Sequence, residues 1–298
     1  MASLQMRAIS VVLRLTRKPR TATVERARTR IAAPKGSAEP PAALRARHHV
    51  RTRLVQGFPC TTVAPRNGAP GRAAVYLHGG SYTGEIAKQH WALISQLADA
   101  GVRVEVPLYG LAPQHTYREA YPFVTEVYRE LLAEVDAAAV TVAGDSAGGG
   151  LALGFAQTLA AASLPQPRKL VLLSPWLDLT LSHPDLPALE RRDPWLNIDG
   201  TVEAGKAWAD GDDPTQPRLS PINGELAGLA PMDVYVGTHE LCLADVLLLQ
   251  ERAAAAGAAL RVTVCPGAVH VYPLVPAPEG RAAAREIVAE ISGGAPAR

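Results

Sequence analysis

From Arg72 onward the chain alternates apolar runs of strand length with amphipathic runs of helix length, and this alternation limits its fold more than any other feature. AAVYLH precedes a helix expected over 86–100, RVEVPLY one over 119–135, and AVTVAG runs into one over 147–162. KLVLLSP is followed by a long polar excursion, MDVYVG by a helix over 244–256, and LRVTVC by a last helix over 280–291. Such a repeat, closed by right-handed crossovers, gives an α/β fold: a mostly parallel central sheet flanked by helices on both faces. Upstream, 49–55 and 58–63, separated by Gln56 and Gly57, read as an antiparallel pair entering the same sheet, and Asn67-Gly68 marks the next turn. Sites in such sheets lie at the carboxyl ends of the strands, so the residues after each run are where chemistry is expected.

The N-terminal part has a different character. Residues 1–53 carry 13 Lys plus Arg against 2 acidic residues, whereas the rest carries 17 against 26. The formal net charge of +2 does not fit a nucleic-acid binder. An arginine-rich, acid-poor start raises organelle targeting and membrane-surface binding as readings. Yet the run AISVVLRL is interrupted by Arg14, lies between Arg7 and Arg17, and has no small-residue cleavage site after it. It reads neither as a secretory signal nor as a spanning helix. The favoured reading is a helix over 3–17 whose stripe of Leu4, Ile9, Val12, Leu13 and Leu15 lies over the rest of the protein as a lid. Pro34, Gly36, Pro40 and Pro41 make 33–46 a flexible connection, which divides the chain into an N-terminal cap segment, 1–45, and a main domain, 46–298. The excursion 178–229, rich in Pro, Asp and Gly, is too long for a plain connector. A short helix over 202–209 and a share in a pocket wall are expected of it. Three scattered cysteines, Cys60, Cys242 and Cys265, make neither a disulfide framework nor a metal-type pair, and fit a reducing, cytoplasmic setting.

Gly144-Asp145-Ser146-Ala147-Gly148 is the sharpest local signal. It has the G-x-S-x-G pattern between a strand and a helix-compatible run, where small residues let the chain turn abruptly and project Ser146 at the apex. A phosphate-binding turn is the competing reading, but there is no P-loop lysine and Asp145 would repel phosphate. A serine nucleophile needs a base and donors for an oxyanion. His78-Gly79-Gly80-Ser81-Tyr82, at the end of another strand, supplies backbone amides from Gly79 and Gly80 that complete an oxyanion hole with the amide of Ala147, with Ser81 and Tyr82 beside it as substrate-binding residues. Chain order requires the acid and then the base after the serine. His183 and His239 precede or adjoin the candidate acids, whereas His270 sits in the loop after LRVTVC and is the base of choice. For the acid, Glu240 lies three residues after Gly237 at a strand end, while Asp245 falls at a helix start, as an N-cap neighbour or a solvated group; Glu240 is preferred. No H-E-x-x-H or comparable ligand spacing is present, and no metal or other cofactor is expected.

These blocks together resemble the hormone-sensitive lipase-like family of α/β-hydrolases, the bacterial carboxylesterases. HGGSY resembles the family's HGGG block, GDSAGG its nucleophile block, and Tyr109 to Pro113 its YxLAP block; SPWLDLT from Ser174 and LSPI from Leu219 also match, so the likeness runs from about residue 50 to the end. The sequence departs from the pattern at Ser81, in place of a third glycine, at Glu240, where aspartate is commoner, followed by LCLAD rather than PLxDE, and at GAVHVY, which lacks a phenylalanine after the histidine. In the family a variable N-terminal segment contributes to a cap, and relatives with this kind of N-terminus include acetyl-ester and monoterpene ε-lactone hydrolases. The resemblance implies a serine carboxylesterase acting through an acyl-enzyme on short to medium acyl esters or lactones. An acyltransferase using the same triad and a non-catalytic small-molecule receptor on the same scaffold are the alternatives. The receptor reading is weakened by the presence of His270. No stable membrane insertion is expected, and the sequence leaves the oligomeric state open, a homodimer included.

Overall fold

Each expected strand forms. The computed structural model describes residues 2–67 and 71–294. Its sheet comprises β1 (His49–Val55), β2 (Phe58–Ala64), β3 (Arg72–Leu77), β4 (Val102–Pro107), β5 (Val140–Asp145), β6 (Lys169–Leu173), β7 (Met232–His239) and β8 (Leu260–Val269). Their order is β1-β2-β4-β3-β5-β6-β7-β8. β1 pairs with β2, and β2 with β4, antiparallel; the remaining neighbours are parallel. The turn expected at Asn67-Gly68 lies partly outside the described residues.

Alternation along the strands sorts side chains to two cores. Ala73, Val75 and Leu77 of β3 join one cluster, and Ala74 and Tyr76 the other. The first is completed by α5 (Tyr117–Leu132), α6 (Ala147–Thr158), α8 (Ile198–Ala209) and α9 (Leu243–Ala255), through Phe123, Phe155, Trp208 and Leu249. The second is covered by α4 (Lys88–Asp99) and α10 (Pro278–Ser292), through Trp91, Ile94 and Ile287. With both faces covered, β5 is buried along its whole length, as expected of a central parallel strand. Helix α5 begins two residues before its expected start because Thr116 and Glu119 form a capping box, the Glu119 carboxylate accepting from the Thr116 amide at 2.9 Å.

The N-terminal segment and the excursion depart further from expectation. The segment 33–46 is not a featureless connection: α3 (Ala42–Arg47) forms directly after Pro41 and buries Leu44. Two unanticipated helices, α2 (Val24–Ala32) and α7 (Leu186–Arg192), form as well, and α8 starts four residues earlier than expected. The N-terminal helix, α1 (Leu4–Thr16), forms one residue inside the expected span at each end but has a different inner face. Met6 is fully buried and Ile9 and Leu13 are half-buried, whereas Leu4, Val12 and Leu15 of the expected stripe point to solvent. Positions 6, 9 and 13 share a face at helical spacing, and because α1 is apolar on two sides, its composition does not reveal which side packs.

Anchors hold α1 at both ends. Ser3 caps it, accepting from the Met6 amide at 3.1 Å, and donates through its own hydroxyl to Glu279 of α10 at 2.8 Å. Just past its end, Lys18 donates to the carbonyls of Glu190 and Asp193 at 2.5 Å each, and Asn197 donates to the Lys18 carbonyl at 2.6 Å.

Candidate active site

Between β5 and α6 the chain reverses at Ser146, which takes φ +51°. A non-glycine residue there is strained, and such strain persists only where the surroundings impose it. Here the imposition is visible. A Cβ at Gly144 would lie 2.3 Å from the Gly148 carbonyl oxygen, and one at Gly148 would lie 2.1 Å from that of Leu77, so only glycines allow the helix to approach the strand this closely. The Ser146 amide donates to Leu173 at 2.8 Å, and its carbonyl accepts from Gly150 and Trp176.

From this apex a buried hydrogen-bond chain crosses three loops. Ser146 Oγ lies 2.9 Å from His270 Nε2, and His270 Nδ1 lies 2.7 Å from Glu240 Oε2. A carboxylate accepts only, so Nδ1 carries the proton and Nε2 is left to accept from the serine hydroxyl. The second Glu240 oxygen accepts from the Gly237 amide at 2.6 Å and the Ser174 hydroxyl at 2.8 Å. Ser174 Oγ in turn accepts from the Val271 amide at 2.9 Å, tying the acid loop to the base loop. Burial alone would depress the pKa of His270, but the hydrogen bond and charge of Glu240, with a contribution from Asp193, hold it above the ordinary histidine value.

Asp245, the other candidate acid, stands apart from this chain. It occupies the first turn of α9, as expected, yet it is buried rather than solvated and accepts no hydrogen bond among the described residues. Burial and the nearby Asp178 charge push its carboxyl up to about 7. Glu240, Cys242 and His270 do present ligand-type atoms within 4.8 Å of one another. Glu240 and His270 are already paired to each other, and burial holds the Cys242 thiol well above its ordinary pKa.

The oxyanion donors need a correction. The Gly79 amide donates to Asp145 Oδ1 at 2.9 Å and is therefore not free to meet a developing oxyanion. Asp145 also accepts from Tyr76 at 2.8 Å and lies 3.1 Å from His90 Nε2. Burial raises its carboxyl, but His90, Tyr76 and Gly79 more than offset this and hold it below the usual aspartate range. Asp145 thus fixes the His78 to Ser81 turn. The amides of Gly80 and Ser81 find no acceptor among the described residues, and that of Ala147 opens α6, where helix geometry leaves it without an intrahelical partner.

Tyr82 also differs from expectation. It is buried, stacked on Trp208 at 4.3 Å, and belongs to the core rather than to the cavity wall. Ser81 does line the cavity, which measures about 330 Å³. The apolar wall around Ser146 comes from Ile9 and Leu13 of α1, from Trp195 and Leu196 of the excursion, and from Leu274 and Val275 after β8. Trp195 stands edge-on to the His270 ring at 5.9 Å. Asp193 places it there, one oxygen accepting from the Trp195 and Leu196 amides at 2.7 and 2.9 Å, the other from the Leu241 amide at 3.0 Å. Neither Asp193 nor Ser174 has a local sequence signal for these contacts.

Comparisons with known proteins identify the family to which this fold belongs. Residues 74–274 match the alpha/beta hydrolase fold family. An acetyl-hydrolase of Streptomyces hygroscopicus is 35% identical over 219 residues, 72% of this chain and 73% of its own. The esterase LipU of Mycobacterium tuberculosis is 32% identical over 220 residues, 70% of this chain and 73% of its own. The crystal structure of a hormone-sensitive lipase from a metagenome library superposes with a TM-score of 0.82 at 28% identity, covering 97% of this chain and 99% of that one. The chain belongs to the hormone-sensitive lipase-like family of α/β-hydrolases.

Proposed function

We propose that this carboxylic ester hydrolase is a serine carboxylesterase that cleaves short to medium acyl esters or lactones through an acyl-enzyme. The observation that carries the reading is the buried chain from Ser146 through His270 to Glu240. Ser146 Oγ attacks the ester carbonyl carbon while His270 Nε2 takes the hydroxyl proton, and Glu240 stabilises the imidazolium that results. The amides of Gly80, Ser81 and Ala147 serve the oxyanion. His270 then gives its proton to the departing alcohol oxygen, leaving the acyl group on Ser146. Water, deprotonated by His270, attacks that acyl carbon; the carboxylic acid leaves and Ser146 recovers its proton.

Cavity size supports the substrate class. About 330 Å³ stands near the lower end of small-molecule sites, which suits compact acyl groups better than long chains. The helices of 1–45 and the excursion 178–229 together form the cap in this reading, because both contribute side chains to the cavity wall.

The test is a p-nitrophenyl ester series from acetate to palmitate, with an ε-lactone, run on wild type and Ser146→Ala. Turnover should peak among the shorter acyl groups and fall by about 10⁴-fold or more in the variant. Full activity in Ser146→Ala, or sharp activation above substrate solubility with long chains, would overturn the proposal.

A further inference from the structure

Helix α1 carries a second apolar face that nothing in the described structure covers. Seven large hydrophobic side chains are exposed among the described residues, and four of them, Leu4, Val11, Val12 and Leu15, stand on this one helix, at 79, 58, 57 and 72% exposure. At helical spacing they form a continuous outward stripe opposite Met6, Ile9 and Leu13. Scattered exposed apolar residues are ordinary, but a stripe of them is a docking surface in want of an occupant.

Charge identifies the occupant. Helix α1 contains no acidic residue, and Arg7 and Arg14 lie along one flank of the stripe. Arg14 reaches the carbonyls of Arg191 and Arg192 at the end of α7, at 3.4 and 3.3 Å, which brings two further exposed cations to the same flank. A second copy of the chain fits poorly. An antiparallel isologous pairing through α1 would set these cations against their own copies, and in any pairing one helical face of four side chains falls well short of the roughly 800 Å² per partner of a stable interface. An apolar stripe bordered by arginines is the pattern of a helix lying in the plane of an anionic membrane surface.

We infer that α1 docks the protein reversibly on an anionic bilayer, with Leu4, Val11, Val12 and Leu15 in the acyl boundary and the arginines at the headgroups. The inference goes beyond the esterase reading and gives it a direction. The inner face of α1 lines the cavity over Ser146, so docking sets the lid between bilayer and nucleophile, and esters dissolved in the membrane interface meet the cavity along the edge of that helix.

The experiment is co-sedimentation of the full chain with vesicles of phosphatidylcholine alone and of phosphatidylcholine with phosphatidylglycerol at 7:3. The anionic vesicles should carry down at least tenfold more protein, and 0.5 M NaCl should release most of it. The double substitution Val11→Asp and Leu15→Asp, checked for folding by circular dichroism, should lower binding at least tenfold. Ser146→Ala should bind like wild type, which separates this inference from the catalytic one. Three results overturn it: no binding to the anionic vesicles, undiminished binding by the folded double variant, or a wild-type dimer that the same substitutions dissociate while vesicles bind nothing.

Discussion

The loops at the carboxyl ends of the sheet and the helix that roofs them hold their side chains by different means. At the sheet, Glu240 is fixed by three hydrogen bonds and Ser146 by backbone contacts on both sides. At the roof, Ile9 and Leu13 present apolar surface to the cavity, and α1 is pinned mainly near its ends, through Ser3 and Lys18. Proton transfer requires reacting atoms within hydrogen-bond reach, so an error of an ångström there is severe. Apolar contact is non-directional and tolerates small displacements. The difference teaches that substitutions at the strand ends should act on kcat, and those in the roof on substrate preference.

After the loss expected for Ser146→Ala, the largest effect is expected at the proposed acid. Glu240→Gln keeps the size of the side chain but removes the charge that orients and stabilises His270, and should lower kcat by about 10²- to 10⁴-fold. Its pH profile gives a second readout. His270 acts as base only when neutral, and its pKa stands above 6.5, so the acidic limb of kcat/KM should lie above that pH in wild type. Without the Glu240 charge, burial dominates and the limb should move to lower pH. A limb that stays in place, or a kcat close to wild type, would break the assignment of rigidity and chemistry to the same loops.

Ser174→Ala sharpens the comparison at a smaller scale. It deletes one hydrogen bond to Glu240 and leaves the Val271 amide without its acceptor, while the acid and base themselves remain. The loss of a buried bond of this kind is about 1–3 kcal/mol, and a cost of about 1.4 kcal/mol would appear as a tenfold drop in kcat. Ser174 acts through Glu240 and is a positioning residue. KM should therefore change little, and a Ser174→Thr variant, which retains the hydroxyl, should recover part of the rate.

What the sequence reveals follows the same division. The hydrogen-bonded chain of Ser146, His270 and Glu240, the proposed triad, is legible as a set of neighbours because each stands in a short pattern that local geometry demands: glycines around a sharp turn, or a position just past a strand. The contacts of Ser174, although it opens the SPWLDLT block, and of Asp193 are not, since they depend on loops brought together from distant parts of the chain. The Gly79 amide illustrates the limit. Sequence places it beside the nucleophile, but only the fold shows that Asp145 has already engaged it. The roof is least legible of all, because periodicity identifies α1 as a helix without choosing between its two apolar sides.

In the roof, Ile9→Ala with Leu13→Ala should widen the cavity over Ser146 without touching the hydrogen-bond chain. The expected outcome is a shift of about tenfold in relative kcat/KM between butyrate and octanoate p-nitrophenyl esters, since even one methylene in an apolar pocket is worth about 1–3 kcal/mol and about 1.4 kcal/mol is a factor of ten. The pH profile should be the same as wild type. A loss of turnover on every ester, with the fold intact, would show that α1 positions the catalytic groups and would erase the distinction.

The smallest effect on rate is expected at Asp245, which shares burial with Glu240 but none of its hydrogen bonds. Its carboxyl, pushed up to about 7 by burial and by Asp178, has a folded-state pKa above the ordinary 3.8. Stability from such a group is fully present below about 3.8 and is lost as the pH rises through about 7, because the folded state must then hold a charge it solvates poorly. Asp245→Asn removes that ionisation. Near pH 4 the variant and wild type should melt at similar temperatures, and the variant's advantage should grow up to about pH 7 and then level off, reaching a few degrees at pH 9, at about 2–4 °C per kcal/mol for a domain of roughly this size. Ester turnover should stay within about twofold. If Asp245→Asn instead abolished turnover while Glu240→Gln retained it, with both folded by circular dichroism, the aspartate in α9 would be the acid and the hydrogen-bond chain across the sheet would not be the catalytic one.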